Sequence, residues 1–216
     1  MNARGRNYYR VTFFGHSYVR DLMKTTPIRM QINNADLELT FITVPGGTFR
    51  TFLENVVYFD RLKEIDPHFT IVILGGNDLR ANKPIQTNYQ DCYRFYTTLK
   101  NYVPNTCIIG TEIENRFYKP NNRFGWPNDE TFNRMRQQFN RFLWRQSFKD
   151  FVLRVQGPNL LDHESNYRDG VHLNYRGMRR FNELIKDSLT YAMHRFQRNS
   201  QPPRPYRPPI TWIKLK

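Results

Sequence analysis

Cysteine is scarce in this chain of 216 residues, which contains only Cys92 and Cys107. So few cysteines exclude the disulfide framework on which small secreted domains depend. Cys92 lies in a helical pattern and Cys107 in an apolar run, so we expect two buried free thiols, with a disulfide between them as the alternative. Histidine, cysteine and carboxylate side chains nowhere show the spacing of a metal site, and we expect neither a metal nor another cofactor.

Long apolar segments are also missing. No stretch approaches the roughly 20 consecutive apolar residues that span a bilayer, which predicts a protein without a transmembrane segment. Residues 1–10 are polar and basic and lack the apolar core of a signal peptide. These absences lead us to expect an intracellular protein, either cytoplasmic or nuclear.

Acidic side chains are outnumbered by basic ones. The chain has 33 lysines and arginines against 19 aspartates and glutamates, a net charge of +14. The excess is concentrated towards the two ends, in residues 1–30 and 168–216. Such a distribution attracts a polyanion such as nucleic acid or an anionic membrane surface, and the alternative is a surface that only keeps the protein in solution.

The remaining composition is that of one folded domain. Hydrophobic residues make up 39% of the chain and aromatic residues 15%, enough to build a core at this length. The segment QPPRPYRPP near the C-terminus cannot continue a helix and predicts an extended basic tail. We therefore divide the chain into a basic arm (residues 1–8), a single domain (residues 9–199) and a Pro-rich basic tail (residues 200–216).

Five apolar runs predict β-strands, and the clearest is FTIVIL at Phe69–Leu74, which is continuous and rich in β-branched residues. The other runs are 11–14 (starting as early as residue 8), 37–44, 106–109 and 151–155. Helical patterns lie between them, and one helix is expected from the shared face of Phe52, Leu53, Val56, Val57 and Leu62. This alternation predicts an α/β fold, a three-layer sandwich with helices on both faces of a five-stranded parallel sheet.

Three further stripes of apolar residues at helical spacing predict the other helices of the domain. They centre on residues 89–99, 132–143 and 178–196. Asn128 or Asp129 would cap the second of these helices, and Asn174 the third.

Polar residues follow the first three predicted strands. Gly15-His16-Ser17 comes after the first strand, Pro45-Gly46-Gly47-Thr48 after the second and Gly75-Gly76-Asn77-Asp78 after the third. Ligands of parallel sheets bind beyond the carboxyl ends of the strands. A serine hydroxyl there can act as a nucleophile, while a glycine N–H and an amide can stabilise an oxyanion.

A base for this serine is offered by the segment before the last predicted helix. His172 lies there, and Asp169 precedes it by three residues. A short loop can turn the Asp169 carboxylate towards the imidazole, orient it and stabilise its charged form. Taken singly, each of these segments is also compatible with an ordinary turn or helix cap.

The order of the four segments resembles that of the SGNH hydrolase superfamily, also called GDSL-type esterases. Members of that superfamily carry Gly-Asp-Ser, a lone glycine, Gly-x-Asn-Asp and Asp-x-x-His, in this order. The matching segments lie within residues 9 to about 197 and are Gly15–Ser17, Gly46 (with Gly47 as the alternative), Gly75–Asp78 and Asp169–His172. The chain departs from the family at His16, which stands where aspartate is usual.

The resemblance implies a flavodoxin-like sheet and a serine esterase that cleaves carboxylic esters (short acyl, acetyl or lipid) through an acyl-enzyme. By that resemblance, Ser17 is the nucleophile, His172 the general base and Asp169 the residue that orients it. The oxyanion would be held by the N–H groups of Ser17 and Gly46 and by the Asn77 side chain. His16 is outside this set, but it changes the charge and hydrogen bonding beside Ser17.

The alternative function is binding by a catalytically weak or inactive module of the same fold. Its partner would be nucleic acid or another polyanion, and domains of this superfamily also occur in proteins of mobile genetic elements. The long connection at residues 112–129 is rich in arginine, asparagine and aromatic residues. Within it, Arg116, Arg123 and Trp126 are candidate contacts for a substrate or a polyanion.

Overall fold

A computed structural model describes residues 7–32, 34–117, 128–146, 151–153, 161 and 163–199. Its strands are β1 (Asn7–Gly15), β2 (Arg29–Ile32), β3 (Ala35–Thr43), β4 (Phe69–Ile73), β5 (Cys107–Thr111) and β6 (Phe151–Leu153). Its helices are α1 (Ser17–Thr25), α2 (Phe49–Leu53), α3 (Val57–Ile65), α4 (Ile85–Tyr102), α5 (Asp129–Arg145) and α6 (Tyr175–Asn199).

The strands form one sheet in the order β2-β3-β1-β4-β5-β6. The last five are parallel to one another, which confirms the predicted parallel sheet. Their order is that of flavodoxin-like folds, in which the chain reverses its direction of growth between β1 and β4. The short strand β2 was not predicted; it pairs antiparallel with β3 at the edge of the sheet.

Helices cover both faces of the sheet, as the predicted three-layer sandwich requires. Along β1, Val11 and Phe13 join the core beneath α1 and α6, while Phe14 joins the core beneath α2, α3, α4 and α5. This alternation is the two-residue period of a strand that is buried on both faces. Cys92 and Cys107 are buried free thiols, as expected.

The single helix predicted across residues 52–62 is wrong. The chain forms two helices there, and Val56 and Val57, which were assigned to the core face, are 54% and 44% exposed. Phe52 in α2 and Phe59 in α3 both pack against Phe14, with ring centroids 4.5 and 5.9 Å from it. Helix α2 ends before Asn55, whose N–H bonds to Phe52 O (3.2 Å), because asparagine favours turns over the interior of a helix.

Two predicted helix caps are confirmed. Asn128 Oδ1 accepts a hydrogen bond from the Thr131 N–H at the start of α5 (2.8 Å). Asn174 Oδ1 accepts one from the Gly177 N–H at the start of α6 (3.0 Å). Within the described ranges, no helix is long and apolar enough to cross a bilayer.

Candidate active site

Three loops meet at the carboxyl edge of the sheet, where β1 lies between β3 and β4. Gly15 is in register with Thr43 on one side and with Ile73 on the other, so the three strands end at the same level. Hydrogen bonds then join the loops, from the Val44 N–H to Gly15 O (3.0 Å) and from the His16 N–H to Ile73 O (3.2 Å). The segments that contain Ser17, Gly46 and Asn77 are therefore neighbours, as the sequence predicted.

Ser17 is the first residue of α1 and is 8% exposed. The N–H groups of the first helical turn have no partner within the helix. His16 satisfies two of them, since its Nδ1 accepts from the Tyr18 N–H (3.3 Å) and its carbonyl from the Val19 N–H (3.0 Å). The Ser17 N–H has no acceptor in the described part of the chain, so it remains available to a ligand.

His16 is almost completely buried, at 3% exposure. Burial is the main reason why its pKa falls to about 3, and the positive charges of Arg116 and His172 lower it further. The ring is therefore neutral at ordinary pH. A neutral ring can keep the lone pair on Nδ1 with which it caps α1.

Gly46 lies in the turn between β3 and α2, with a φ of +75° that suits glycine. The neighbouring Gly47 uses its N–H in a hydrogen bond to Val44 O (2.9 Å). For the Gly46 N–H, the described residues provide no acceptor. Of the two glycines that the sequence offered, Gly46 is thus the one with a free donor.

Asn77 carries the third donor, in the loop after β4. Its Nδ2 donates to Gly47 O (3.2 Å), and its Oδ1 accepts from Arg116 Nη2 (3.2 Å). A primary amide has two N–H groups, and the structure describes a partner for one of them. The other can serve a ligand at the same edge of the sheet.

Asp78, the last residue of the same motif, holds the loop after β4 against the start of α2. It is 2% exposed, and its Oδ1 accepts from the Phe49 N–H at the start of α2 (3.0 Å). Burial raises its pKa to about 7, although the bond from Phe49 and the charge of Lys83 act against that rise. Asp78 therefore links the loop after β4 to the helix that follows Gly46.

Asp169 and His172 form a pair, as the sequence predicted. Asp169 Oδ2 lies 2.7 Å from His172 Nδ1, and its Oδ1 accepts from the N–H groups of Val171 (3.0 Å) and His172 (2.6 Å). Burial would raise the pKa of Asp169, but the hydrogen bonds from His172 and Val171 outweigh it and lower that pKa. The ionised carboxylate holds the imidazole through Nδ1, which leaves Nε2 as the nitrogen that can accept a proton.

The loop of Asp169 and His172 is attached to the helix of the serine. The Tyr18 hydroxyl, next to Ser17, donates to Val171 O (2.6 Å), next to His172. The charge of His172 also acts on His16, on the other side of Ser17. Ser17 and His172 are both described, and no hydrogen bond joins their side chains.

Arg116 is buried, whereas the sequence predicted a contact with a substrate or a polyanion. It is 6% exposed and reaches inward to Asn77. Arg123 and Trp126, the other two candidates for such contacts, lie outside the described residues, as do the arm at 1–6 and the tail at 200–216. Within the described ranges, no group of three or more histidine, cysteine or carboxylate side chains could hold a metal ion.

Glu114 is a further buried residue at this edge, and its role was not predicted from the sequence. It is 6% exposed, its Oε1 has no hydrogen-bond partner among the described residues, and burial raises its pKa to about 7. Its charge acts on Tyr18. One signal could have identified Glu114 and Arg116 beforehand: charged residues alternate with others immediately after the buried strand β5.

The family model for the GDSL-like lipase/acylhydrolase family matches residues 13–180. Among curated protein sequences, none matches the chain.

Solved structures share the fold at low sequence identity. A carbohydrate esterase family 3 protein from Talaromyces cellulolyticus is 12% identical, with a TM-score of 0.62 over 87% of this chain and 99% of that one. A serine-to-alanine mutant of an acetyl esterase, solved with an acetate ion, is also 12% identical, with a TM-score of 0.61 over 87% and 99%. A GDSL-like lipase from Bacteroides thetaiotaomicron is 16% identical, with a TM-score of 0.56 over 85% and 89%.

The family match covers Ser17, Gly46, Asn77, Asp169 and His172, and these structures share the arrangement of helices and strands that carries them. The chain belongs to the GDSL-like lipase/acylhydrolase family.

Proposed function

We propose that this protein is a serine hydrolase of carboxylic esters, with Ser17 as its nucleophile. One observation carries the proposal: the N–H groups of Ser17 and Gly46 and one N–H of Asn77 lie on the loops of three neighbouring strands, and none has an acceptor in the described structure. Donors arranged in this way stabilise the oxyanion of acyl transfer.

The reaction would follow from the roles of the paired residues. Ser17 Oγ attacks the ester carbonyl carbon while His172 Nε2 takes the hydroxyl proton, and the carbonyl oxygen becomes the oxyanion. The Asp169 carboxylate stabilises the imidazolium. Collapse of the intermediate breaks the C–O bond, and His172 returns the proton to the leaving alcohol. Water then hydrolyses the acyl-Ser17 ester by the same steps.

Short acyl groups are the first substrates to test. The structures with this fold include an acetyl esterase and a carbohydrate esterase, and that likeness favours acetyl esters over long-chain lipid esters as a starting point. A series of p-nitrophenyl esters of increasing acyl length would rank them, and we expect the highest kcat/KM with acetate.

A fluorophosphonate probe tests the proposal directly. We expect it to label Ser17 of the native protein, and Ser17→Ala to lose labelling and about a thousandfold or more in kcat for p-nitrophenyl acetate. Ser165→Ala is the matched control, since Ser165 is an exposed serine, and it should retain both. Native protein that neither reacts with the probe nor hydrolyses any ester of the series would contradict the proposal.

We propose a second function, contact with single-stranded nucleic acid, on the basis of a surface cleft. The cleft has a volume of about 420 Å³ and lies where α2, α4 and α5 meet. Tyr89 and Phe142 stack in its wall with ring centroids 4.2 Å apart, and Tyr93 beside them is 53% exposed. Arg50 and Arg94 also line it, and both are exposed.

The charges of the cleft favour an anion. Asp91 is the one carboxylate in its lining, but it is buried and lies 3.2 Å from Lys83 and 3.5 Å from Arg50. The exposed groups are therefore cationic and aromatic. Arginines contact phosphates and aromatic rings stack on bases, which is how single strands are bound without sequence preference.

Affinity for a fluorescein-labelled oligo(dT) strand tests this second function. Arg50→Gln/Arg94→Gln should weaken binding about tenfold at low salt, because two phosphate contacts are lost. Arg176→Gln/Arg179→Gln removes the same charge from exposed positions on α6, on the opposite face, and should weaken binding less than about twofold. Equal losses in the two variants, or an affinity that does not fall with added salt, would rule out the cleft.

A further inference from the structure

A buried cation lies against the predicted oxyanion donor Asn77. Arginine is seldom buried in proteins. Arg116, however, is 6% exposed, and its Nη2 donates to Asn77 Oδ1 at 3.2 Å. The guanidinium is thus in contact with the functional side chain and not with solvent.

This contact determines which way the Asn77 amide points. Arg116 can only donate and Gly47 O can only accept. A rotation of the amide by 180° would place its NH2 group against the guanidinium and its oxygen against the Gly47 carbonyl. Both contacts would then be repulsive, so the pair of neighbours keeps Nδ2 on the side of Gly47 and of the open edge of the sheet.

The surroundings of Arg116 are shaped to hold the guanidinium in that place. A Cβ atom on Gly76 would lie 2.7 Å from Arg116 Nη2, so a side chain at position 76 would displace it. The Phe132 ring lies beneath the guanidinium at 5.1 Å, a cation–π contact. Asn133 Nδ2 donates to the Arg116 carbonyl at 3.5 Å.

The positive charge of Arg116 also acts on the site as a whole. It opposes the rise in the pKa of Glu114 and contributes to the low pKa of His16. A cation whose field reaches His16 and Asn77 lies close to the place where an oxyanion would form.

We propose that Arg116 is a positioning residue, which holds the Asn77 amide with one N–H directed at the substrate oxygen. The proposal rests on the proposed hydrolase function and adds to the three oxyanion donors a residue that orients one of them. Because the oxyanion forms only in the transition state, the loss of the contact between Arg116 and Asn77 should lower kcat and leave KM nearly unchanged.

A double-mutant cycle with p-nitrophenyl acetate tests the coupling between the two residues. We expect Arg116→Gln to lower kcat about thirtyfold and Asn77→Ala about a hundredfold or more, while KM changes less than about threefold. The double variant should be no slower than Asn77→Ala alone, because Arg116 acts through that side chain. Arg116→Lys retains the charge but not the planar fork and should lie between native protein and Arg116→Gln.

Arg10→Gln is the matched control. Arg10 is also a buried arginine, at 9% exposure, and it donates to Asp66 O, at the end of the sheet opposite to Asn77. In the double variant, the factors by which Arg10→Gln and Asn77→Ala lower kcat should multiply. If the effects of Arg116→Gln and Asn77→Ala multiply in the same way, or if Arg116→Gln leaves kcat unchanged, the proposal is overturned. Thermal melting of each variant excludes loss of the fold as the cause.

A readout without catalysis separates this proposal from the proposed function. The side-chain amide NMR signals of Asn77, assigned by their absence in Asn77→Ala, should be shifted in Arg116→Gln and unchanged in Arg10→Gln. Ser17 of the native protein could resist the fluorophosphonate probe while these signals still shift in Arg116→Gln. That result would contradict the proposed hydrolase function and support the positioning role of Arg116. Signals that do not respond to Arg116→Gln would overturn the positioning, whatever the catalytic result.

Discussion

His16 replaces the aspartate that the GDSL motif usually carries before the nucleophile, yet it retains a structural role. Its Nδ1 accepts from the Tyr18 N–H and its carbonyl accepts from the Thr43 hydroxyl (2.9 Å). The buried ring is neutral, so no charge is added beside Arg116 and His172. An aspartate in this position would instead place a negative charge within the field of Arg116.

Acid should destabilise the protein through His16. Its pKa is about 3 in the folded state against 6.5 in the unfolded chain, so the unfolded chain binds the proton more readily. The contribution of the neutral ring to stability is complete above pH 6.5 and is lost as the pH falls towards 3. Asparagine can cap α1 without titrating. From about pH 7 to about pH 4, we expect the change in unfolding free energy to be more favourable by about 3 kcal/mol in His16→Asn than in the native protein.

Urea unfolding of both proteins at the same two pH values measures this difference. Equal changes in the native protein and the variant would show that folding does not lower the pKa of His16.

Helix α1 connects the serine to the loop that carries the histidine. Ser17 begins the helix, and the Tyr18 hydroxyl bonds to Val171 O, one residue before His172. Because Tyr18 and Val171 are both buried, this bond is sheltered from water. The distance between Ser17 and His172 therefore depends on a contact between two elements that are far apart in sequence.

Tyr18→Phe tests that dependence. The Val171 carbonyl would lose its donor, which costs about 1–3 kcal/mol of unfolding free energy, and the loop of His172 would loosen. We expect kcat for p-nitrophenyl acetate to fall about tenfold, as a small misplacement of reacting groups does. Tyr167→Phe removes a comparable bond, to Leu161 O (3.0 Å), and should cost similar stability but change kcat less than about twofold.

Unfolding curves and steady-state rates for the two variants measure the loss of stability and the loss of kcat separately. Equal loss of kcat in both would assign the effect to general destabilisation and not to the position of His172.

The sequence was most informative where a short segment determines its own structure. The buried parallel strands, the loops after β1, β3 and β4, and the pairing of Asp169 with His172 all follow from local patterns. Strand β2 did not, because its register with β3 leaves Arg29 and Gln31 exposed and gives no apolar signal. The inward direction of Arg116 was equally hidden, since it depends on Asn77, which is distant in sequence.

The way in which the stability of the whole molecule depends on pH reflects buried titratable groups at the carboxyl edge of its sheet. Asp78 and Glu114 both have pKa values raised to about 7, chiefly by burial. The contribution of these two carboxyl groups to stability is present while they are protonated and is lost as the pH rises. The contribution of His16 is present while its ring is neutral and is lost as the pH falls. Asp78 and Glu114 therefore oppose His16, and the combined contribution of the three residues is largest near about pH 4.

Asp78 provides the last prediction. Its pKa is about 7 in the folded protein against 3.8 in the unfolded chain, so its contribution is complete below pH 3.8 and is lost as the pH rises through about 7. An asparagine in its place would be neutral at every pH and could still accept from the Phe49 N–H. Relative to the native protein, we expect Asp78→Asn to gain about 3 kcal/mol of unfolding free energy between about pH 5 and pH 8. Guanidinium chloride unfolding at the two pH values measures the gain, and a difference that stays constant with pH would mean that Asp78 is already ionised in the folded protein.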